Sequence, residues 1–149
     1  METNLKFNSA ICTSREQSER LLALGLKKET ADMRYQMQYL DLGGVLKECT
    51  PSLEPYPPLN NDRFIPAWSL HRLIEMMPCG FQDEHYRNFV LKINSQDVSY
   101  VCNYVDDDGY GQSDSIDVDD VYHNLYDGII SHIKWLIKKG LFNKDYLEE

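Results

Sequence analysis

Two runs of strand-forming residues, separated by four polar residues, constrain the fold more than any other feature of this sequence. Residues 89–93 and 98–105 are rich in Phe, Val, Ile and Tyr, and the intervening 94–97 reads Asn-Ser-Gln-Asp. So short a connection joins antiparallel strands, because a parallel pair needs a crossover of a dozen or more residues. The sequence therefore predicts a β-hairpin and an antiparallel sheet.

A further strand is predicted over Met33–Tyr39, where apolar and polar residues alternate without interruption. This alternation is typical of a strand with one packed face and one face in water. Residues 49–62 follow and contain four prolines. We expect them to form an extended surface loop that connects a strand to a helix.

Capping signals and apolar periodicity predict three helices. The first begins with the capping-box pattern of Thr13 and Glu16 and ends at Gly25. The second is bounded by Pro66 and Pro78 and carries apolar residues at i, i+3, i+4 and i+7. That apolar stripe consists of Leu70, Leu73, Ile74 and Met77.

The third predicted helix is the longest. Asp117 is its expected N-cap, Gly140 lies just past its end, and aspartates precede lysines in the order that the helix dipole favours. These elements predict an α+β fold in which a small antiparallel sheet of three to four strands packs against the N-terminal, middle and long C-terminal helices.

A chain of 149 residues favours a single α+β domain over 1–149. We expect loose ends at residues 1–11 and 144–149. Residues 106–115, which are rich in Asp and Gly, are predicted to form an acidic loop.

The net charge of −9 disfavours direct nucleic-acid binding, which depends on a clustered basic face. The four cysteines form no Cys-x-x-Cys pair, so neither a zinc ribbon nor a thioredoxin-like site is indicated. No signal peptide and no run of ~20 apolar residues is recognisable. We therefore expect a cytoplasmic protein with free thiols and no membrane association.

The acidic loop is one candidate site. Asp106, Asp108 and Asp114 nearly match positions 1, 3 and 9 of a calcium-binding loop. However, Tyr110 occupies a ligand position, and Asp117 is too short to replace the usual bidentate glutamate. Two interpretations stay open: a calcium site using Asp106, Asp108 and Asp114, and a solvated acidic turn. No other cofactor is indicated.

The polar face of the middle helix is a second candidate. At 100° per residue, Trp68 points away from the apolar stripe and shares a face with His71 and Arg72. An exposed tryptophan is a typical anchor for a partner protein, whereas a tryptophan that covers the entry of the chain into the helix is structural. We name Trp68, His71 and Arg72 as candidate partner-binding residues.

The third predicted helix supplies the last candidates. Tyr126, Ile130 and Ile137 widen its apolar arc to about half of the circumference, more than one core face requires. They are expected to form either a second layer of the core or a surface for a partner or a second copy.

Three sequence blocks that span most of the chain carry a family resemblance. They are residues 11–18 with 21–26 and 30–33, residues 65–70 with Leu73 and Pro78, and residues 135–137. Together they resemble a family of small uncharacterised proteins encoded in prophages and mobile elements of anaerobic gut bacteria. The resemblance implies a bacterial cytoplasm and a mobile-element origin, and it implies no activity.

Phosphate-binding, metalloprotease, serine-hydrolase and kinase motifs are absent from the sequence. We therefore expect a non-enzymatic interaction or accessory protein that binds a protein partner or itself. Two alternatives remain open. One is a calcium-responsive module through residues 106–117, and the other is a small enzyme whose site combines distant residues such as Cys79 or His85.

Overall fold

A computed structural model of the chain describes residues 10–39, 46–48, 52–53 and 64–149, with side chains over 10–35 and 65–149. Within these residues the chain forms three α-helices and two four-stranded antiparallel sheets, which confirms the predicted α+β class. The helices are α1 (Arg15–Ala23), α2 (Leu70–Met76) and α3 (Leu125–Lys138). The strands are β1 (Met33–Tyr39), β2 (Leu46–Glu48), β3 (Ser52–Leu53), β4 (Phe64–Ala67), β5 (Gly80–Gln82), β6 (Asn88–Ile93), β7 (Val98–Val105) and β8 (Gly111–Ser115).

The two sheets differ from the single sheet that the sequence predicts. The first is built on the predicted strand β1, which pairs with β2, β3 and β4. The second has the order β5-β6-β7-β8 and contains the predicted hairpin as β6 and β7. The predicted loop over 49–62 lies outside the described residues, except for the short strand β3 at Ser52–Leu53.

Helix α1 starts one residue later than predicted. Ser14 is the N-cap and forms a capping box with Gln17, so Thr13 and Glu16 are not the capping pair. The hydroxyl of Thr13 is used elsewhere, because it accepts the backbone N–H of Trp68 at 3.0 Å. The predicted end is confirmed: Gly25 has φ +99°, and the Leu26 N–H donates to the Leu21 carbonyl.

Helix α2 does not begin at Pro66. Pro66 and Ala67 belong to β4, where they lie opposite Arg34 and Met33 of β1. The N-cap is Ser69, whose hydroxyl accepts the Arg72 N–H at 3.1 Å and donates to Asp32 at 2.5 Å. The pairing of β4 with β1 therefore decides the conformation of these residues, and the helix starts where that pairing ends.

The sequence predicts Asp117 as the N-cap of α3, and this prediction is wrong. The cap is Asn124, whose side chain accepts the Asp127 N–H at 2.9 Å. The preceding segment is held in a non-helical course by Tyr122, whose hydroxyl donates to Asp97 at 2.5 Å. The Tyr122 ring packs against Gly128 so closely that a Cβ there would lie 2.8 Å from it.

Helix α3 is the centre of the core. All residues from Gly128 to Ile133 are buried, so this helix is covered around its whole circumference in that stretch. The strand β7 contacts it on one side and α1 on another. This arrangement explains the wide apolar arc of α3, because two layers pack on it instead of one.

The predicted loops also take definite structure. The acidic loop over 106–115 is a hairpin turn followed by β8, because Val105 to Val101 pair with Gly111 to Ser115. The prediction of a loose end over 144–149 is wrong: the Lys27 N–H donates to Tyr146, and the Glu148 N–H donates to Gly25 at 2.7 Å. The predicted loose end over 1–11 lies almost wholly outside the described residues.

Burial of His132 makes the fold sensitive to acid. Its Nδ1 donates to the Gly128 carbonyl at 2.7 Å, and its ring lies against those of Tyr100 and Tyr122. Burial lowers the pKa of His132 below its ordinary value of 6.5, and Gly128 and Asp97 only partly oppose this. The unfolded chain therefore binds the proton more readily, and stability falls as the pH drops below about 6.5.

We expect the free energy of unfolding, measured in urea, to decrease between pH 7.5 and pH 5.5. His132→Asn removes the titrating group and is expected to show a smaller decrease over the same range. An equal pH dependence in the two proteins would contradict this assignment.

Candidate interaction surface

Three of the six residues proposed from sequence as partner-binding are buried, namely Trp68, Tyr126 and Ile130. Trp68 has no exposed surface, and its indole Nε1–H donates to the Thr30 hydroxyl at 3.0 Å. Its backbone N–H donates to Thr13, and its carbonyl accepts the Thr13 N–H at 2.9 Å. Of the two interpretations of Trp68, the structure therefore favours the structural one, because this residue precedes the helix and does not lie on its polar face.

His71 and Arg72 have different surroundings. The His71 side chain is 83% exposed and lies 3.0 Å from Glu75. The guanidinium of Arg72 is largely covered, since its Nε–H donates to the Thr30 carbonyl at 2.8 Å and the group lies over the Tyr146 ring. Of the predicted face, only His71 is freely accessible.

The predicted surface on α3 is part of the core. Tyr126 and Ile130 are buried, with Ile130 only 1% exposed, and Ile137 is half-buried against the core. The Tyr126 hydroxyl donates to the Ala10 carbonyl at 3.1 Å. Among the alternatives left open, the structure therefore favours the second core layer for Tyr126 and Ile130.

The acidic residues do not converge on one point. Asp106 lies in the β7–β8 turn, and its carboxylate accepts the Tyr110 N–H at 2.8 Å, the Asp108 N–H at 3.1 Å and the Gln112 amide at 3.0 Å. The hydrogen bond from Gln112, followed by that from Tyr110, lowers the pKa of Asp106. This carboxylate therefore stabilises the turn.

Asp114 lies far along the strand from Asp106. Asp114 pairs with Cys102 of β7, and Cys102 lies four residues before Asp106. Four residues of extended chain separate the two positions by about 13 Å along the strand. The Asp114 carboxylate accepts Nη1–H of Arg87 at 3.0 Å. Over the described residues, no group of three His, Cys, Asp or Glu side chains could hold a metal ion.

Among the residues whose side chains the structure describes, the most exposed aromatic ones lie at one end of the second sheet. The turn between β5 and β6 and the turn between β7 and β8 lie at this same end, because adjacent strands are antiparallel. Tyr86 is 80% exposed, Tyr110 is 70% exposed and Tyr104 is 43% exposed. We call these three residues the tyrosine end; the sequence alone did not reveal it.

Tyr86 has an unusual backbone. Its φ is +61°, the only positive value among described residues other than glycine. A bulky residue in the left-handed region costs about 1–2 kcal/mol relative to an ordinary conformation. With 80% of its surface exposed, the side chain recovers little of this cost by packing. Strained residues of this kind cluster at active sites, ligand clamps and switch regions.

A cleft of about 580 Å³ lies beside the tyrosine end, where the β5–β6 turn, the end of β8 and the last turn of α3 meet. Its aromatic walls are Phe81, Phe89 and Trp135. Arg87 lies 5.4 Å above the Phe89 ring and donates from Nε to Asp83 at 2.8 Å. The cleft is also lined by Glu84, Asp114, Asp117 and Lys139.

Arg87 forms ion pairs with two of the carboxylates in this cleft. Desolvation would raise the pKa of Asp83, but hydrogen bonds from the backbone and side chain of Arg87 outweigh it, so the pKa is lowered. Asp83 and Asp114 both accept hydrogen bonds from the Arg87 guanidinium, at 2.8 Å and 3.0 Å. Neither Cys79 nor His85, the residues named for an enzyme site, lines this cleft.

Comparisons with protein-family models, with curated proteins and with solved structures found no match to this chain. The resemblance to mobile-element proteins therefore stays a prediction. Among the helices that the structure describes, none combines the length and the apolar character needed to cross a membrane.

Proposed function

We propose that this protein is a non-enzymatic interaction protein that binds a positively charged protein through the tyrosine end. The observation that carries the proposal is the exposure of three tyrosines at one end of one sheet, one of them in a costly backbone conformation. Tyrosine provides a large, rigid contact area with little loss of conformational entropy, which is why it is enriched in binding surfaces.

The distribution of charge supports a basic partner. Residues 93–133 contain nine of the 24 acidic residues and no Lys or Arg. The remaining 15 acidic residues balance the 15 Lys and Arg of the rest of the chain. The entire formal charge of −9 thus belongs to the segment that forms β7, β8 and the first half of α3. Such a field attracts a basic partner and repels nucleic acid or a second copy of this chain.

The same proposal includes the cellular setting. An acidic protein that occupies a basic surface of another protein suits an accessory role in a prophage or mobile element, as the sequence resemblance suggests. Cys79 and Cys102 are free thiols, which suits a bacterial cytoplasm.

Affinity capture from a lysate of cells that naturally produce the protein tests this proposal. We expect a stoichiometric partner with net positive charge, whose recovery decreases between 0.1 and 0.5 M salt. A variant combining Asp107→Asn, Asp108→Asn and Tyr110→Ser should recover at least tenfold less partner, while Asp106 keeps the turn intact.

The matched control carries the same loss of charge elsewhere, as Glu29→Gln with Glu149→Gln. Both control positions are exposed and distant in sequence from the turn. Equal recovery by the turn variant and the control would show that the tyrosine end is not the binding surface.

Substitution of Tyr86 separates stability from binding. Because glycine adopts positive φ without strain, Tyr86→Gly is expected to be at least as stable as the wild type and about 1 kcal/mol more stable than Tyr86→Ala. Both variants should recover less partner, since both lack the ring. Urea unfolding gives the stabilities, and a Tyr86→Gly protein less stable than Tyr86→Ala would contradict the assigned strain.

A further inference from the structure

We propose that β8 binds an extended, basic segment of the partner as an additional strand of the second sheet. This inference rests on the proposed function and specifies how the partner is held. Its basis is the geometry of the sheet edge together with the charge around it.

The strand β8 presents regularly spaced backbone groups at the sheet edge. The Ile116 N–H donates to the Tyr100 carbonyl, and the Asp106 N–H donates to the Tyr110 carbonyl. In an antiparallel ladder every second residue pair is hydrogen-bonded, so Ile116, Asp114, Gln112 and Tyr110 direct their backbone N–H and C=O groups toward β7. The N–H and C=O groups of the intervening residues consequently face away from β7. These residues are Gly111, Ser113 and Ser115, and within the described part of the chain their outward groups have no partner.

Apart from the charge of Asp114, this edge lacks the devices that usually protect a strand from pairing. Proteins block free edges with charged side chains, proline, bulges or very short strands. The sequence of β8 is Gly-Gln-Ser-Asp-Ser, and its five residues pair with β7 without a bulge. The opposite edge of the same sheet, β5, has only three residues. As far as residues 10–39 and 64–149 show, the sheet is therefore open to extension along β8.

Charge identifies the occupant. Asp114 lies within β8, and Asp106, Asp107, Asp108 and Asp117 lie just before and after it. Pairing β8 with the β8 of a second copy would bring these carboxylates together, and like charges on adjacent strands are destabilising. A segment with Lys or Arg at alternate positions instead places its charges beside them.

The neighbouring cleft provides a place for such side chains. Asp114 and Asp117 form its border at β8, and Trp135 provides an aromatic wall. Successive side chains of an added strand point to opposite faces, so every second one lies on the face that holds the cleft. A Lys or Arg there packs its aliphatic stem beside this ring, over which Lys139 Nζ lies 5.8 Å from the centroid, and keeps its charge near Asp117.

Selection from a random library of nine-residue peptides against the full chain tests the inference. We expect the recovered peptides to carry Lys or Arg at alternate positions. They should bind Ser113→Pro at least tenfold more weakly than the wild type, because proline removes an outward N–H without breaking the β7 ladder. The control Ser113→Ala retains that N–H and should bind like the wild type.

N-methylated peptides test the same hydrogen bonds without altering the protein. Methylation of the alternate amides that face β8 should weaken binding at least tenfold, whereas methylation of the intervening amides should change it less than twofold. If basic peptides bind and respond to neither methylation nor Ser113→Pro, strand addition is wrong and the proposed function stands. If no basic peptide is enriched, or acidic peptides are selected, the pairing of a basic segment with β8 is wrong, and the capture experiment with the turn variant decides the proposed function independently.

Discussion

Trp68→Ala is expected to remove about 3–5 kcal/mol of folding free energy, the usual cost of truncating a buried aromatic side chain. Trp68 is fully buried in the main core, and its indole joins the segment before α2 to Thr30. The total free energy of unfolding of a natural protein is only about 5–15 kcal/mol. We expect a large part of the variant to be unfolded at 37 °C, as measured by urea titration with far-ultraviolet circular dichroism.

Trp68→Phe is the matched control. It keeps most of the apolar volume and loses the indole N–H, so we expect a cost of about 1–2 kcal/mol. An unfolding free energy for Trp68→Ala within 1 kcal/mol of the wild type would contradict the assigned burial. Any loss of a partner by the alanine variant would reflect unfolding and not a missing contact.

Ile130→Asp is expected to lower the folding free energy by at least as much as Trp68→Ala. Ile130 is 1% exposed in the stretch of α3 that is covered on all sides. A carboxyl group there must either become protonated or remain charged without water, and either outcome costs several kcal/mol in addition to the lost apolar packing. We expect no cooperative unfolding transition at 25 °C and pH 7 in the same urea titration.

Ile137→Asp provides the comparison within the same helix. Because Ile137 is half-buried, the carboxylate introduced by Ile137→Asp reaches water. The loss of folding free energy should therefore be smaller than for Ile130→Asp. A folded Ile130→Asp protein, or equal effects at the two positions, would show that α3 is not central to the core.

The sequence predicts elements whose signals are local. The alternation of Met33–Tyr39 and the four-residue turn at 94–97 correctly predict β1 and the β6–β7 hairpin. Gly25 correctly marks the end of α1. In each case the decisive interactions lie within a few residues of one another.

The errors arise where a distant contact decides the conformation. Pro66 and Ala67 look like the start of a helix, but pairing with β1 makes them a strand. Thr13 looks like a cap, but its hydroxyl accepts from Trp68, 55 residues away. The Gly-Gln-Ser-Asp-Ser sequence of β8 has little strand propensity of its own, and it is a strand because β7 offers it a ladder.

The same contacts explain the sequence blocks that carry the family resemblance. Thr13, Thr30, Asp32, Trp68 and Ser69 form one hydrogen-bonded network that joins α1, β1 and the start of α2. The first two of the three blocks are therefore accounted for by folding. The candidate binding residues Tyr86, Tyr104 and Tyr110 lie outside them, and the left-handed backbone of Tyr86 has no signal in the sequence.

Photo-crosslinking from two positions tests most directly whether function resides at the tyrosine end. A benzophenone amino acid replaces Tyr110 in one protein and His71 in another, in cells that naturally produce the chain. Both side chains are exposed, and His71 represents the surface that the sequence suggests. We predict that position 110 crosslinks to a protein with net positive charge and that position 71 does not. A partner crosslinked from position 71 alone, or from neither position, would contradict the account.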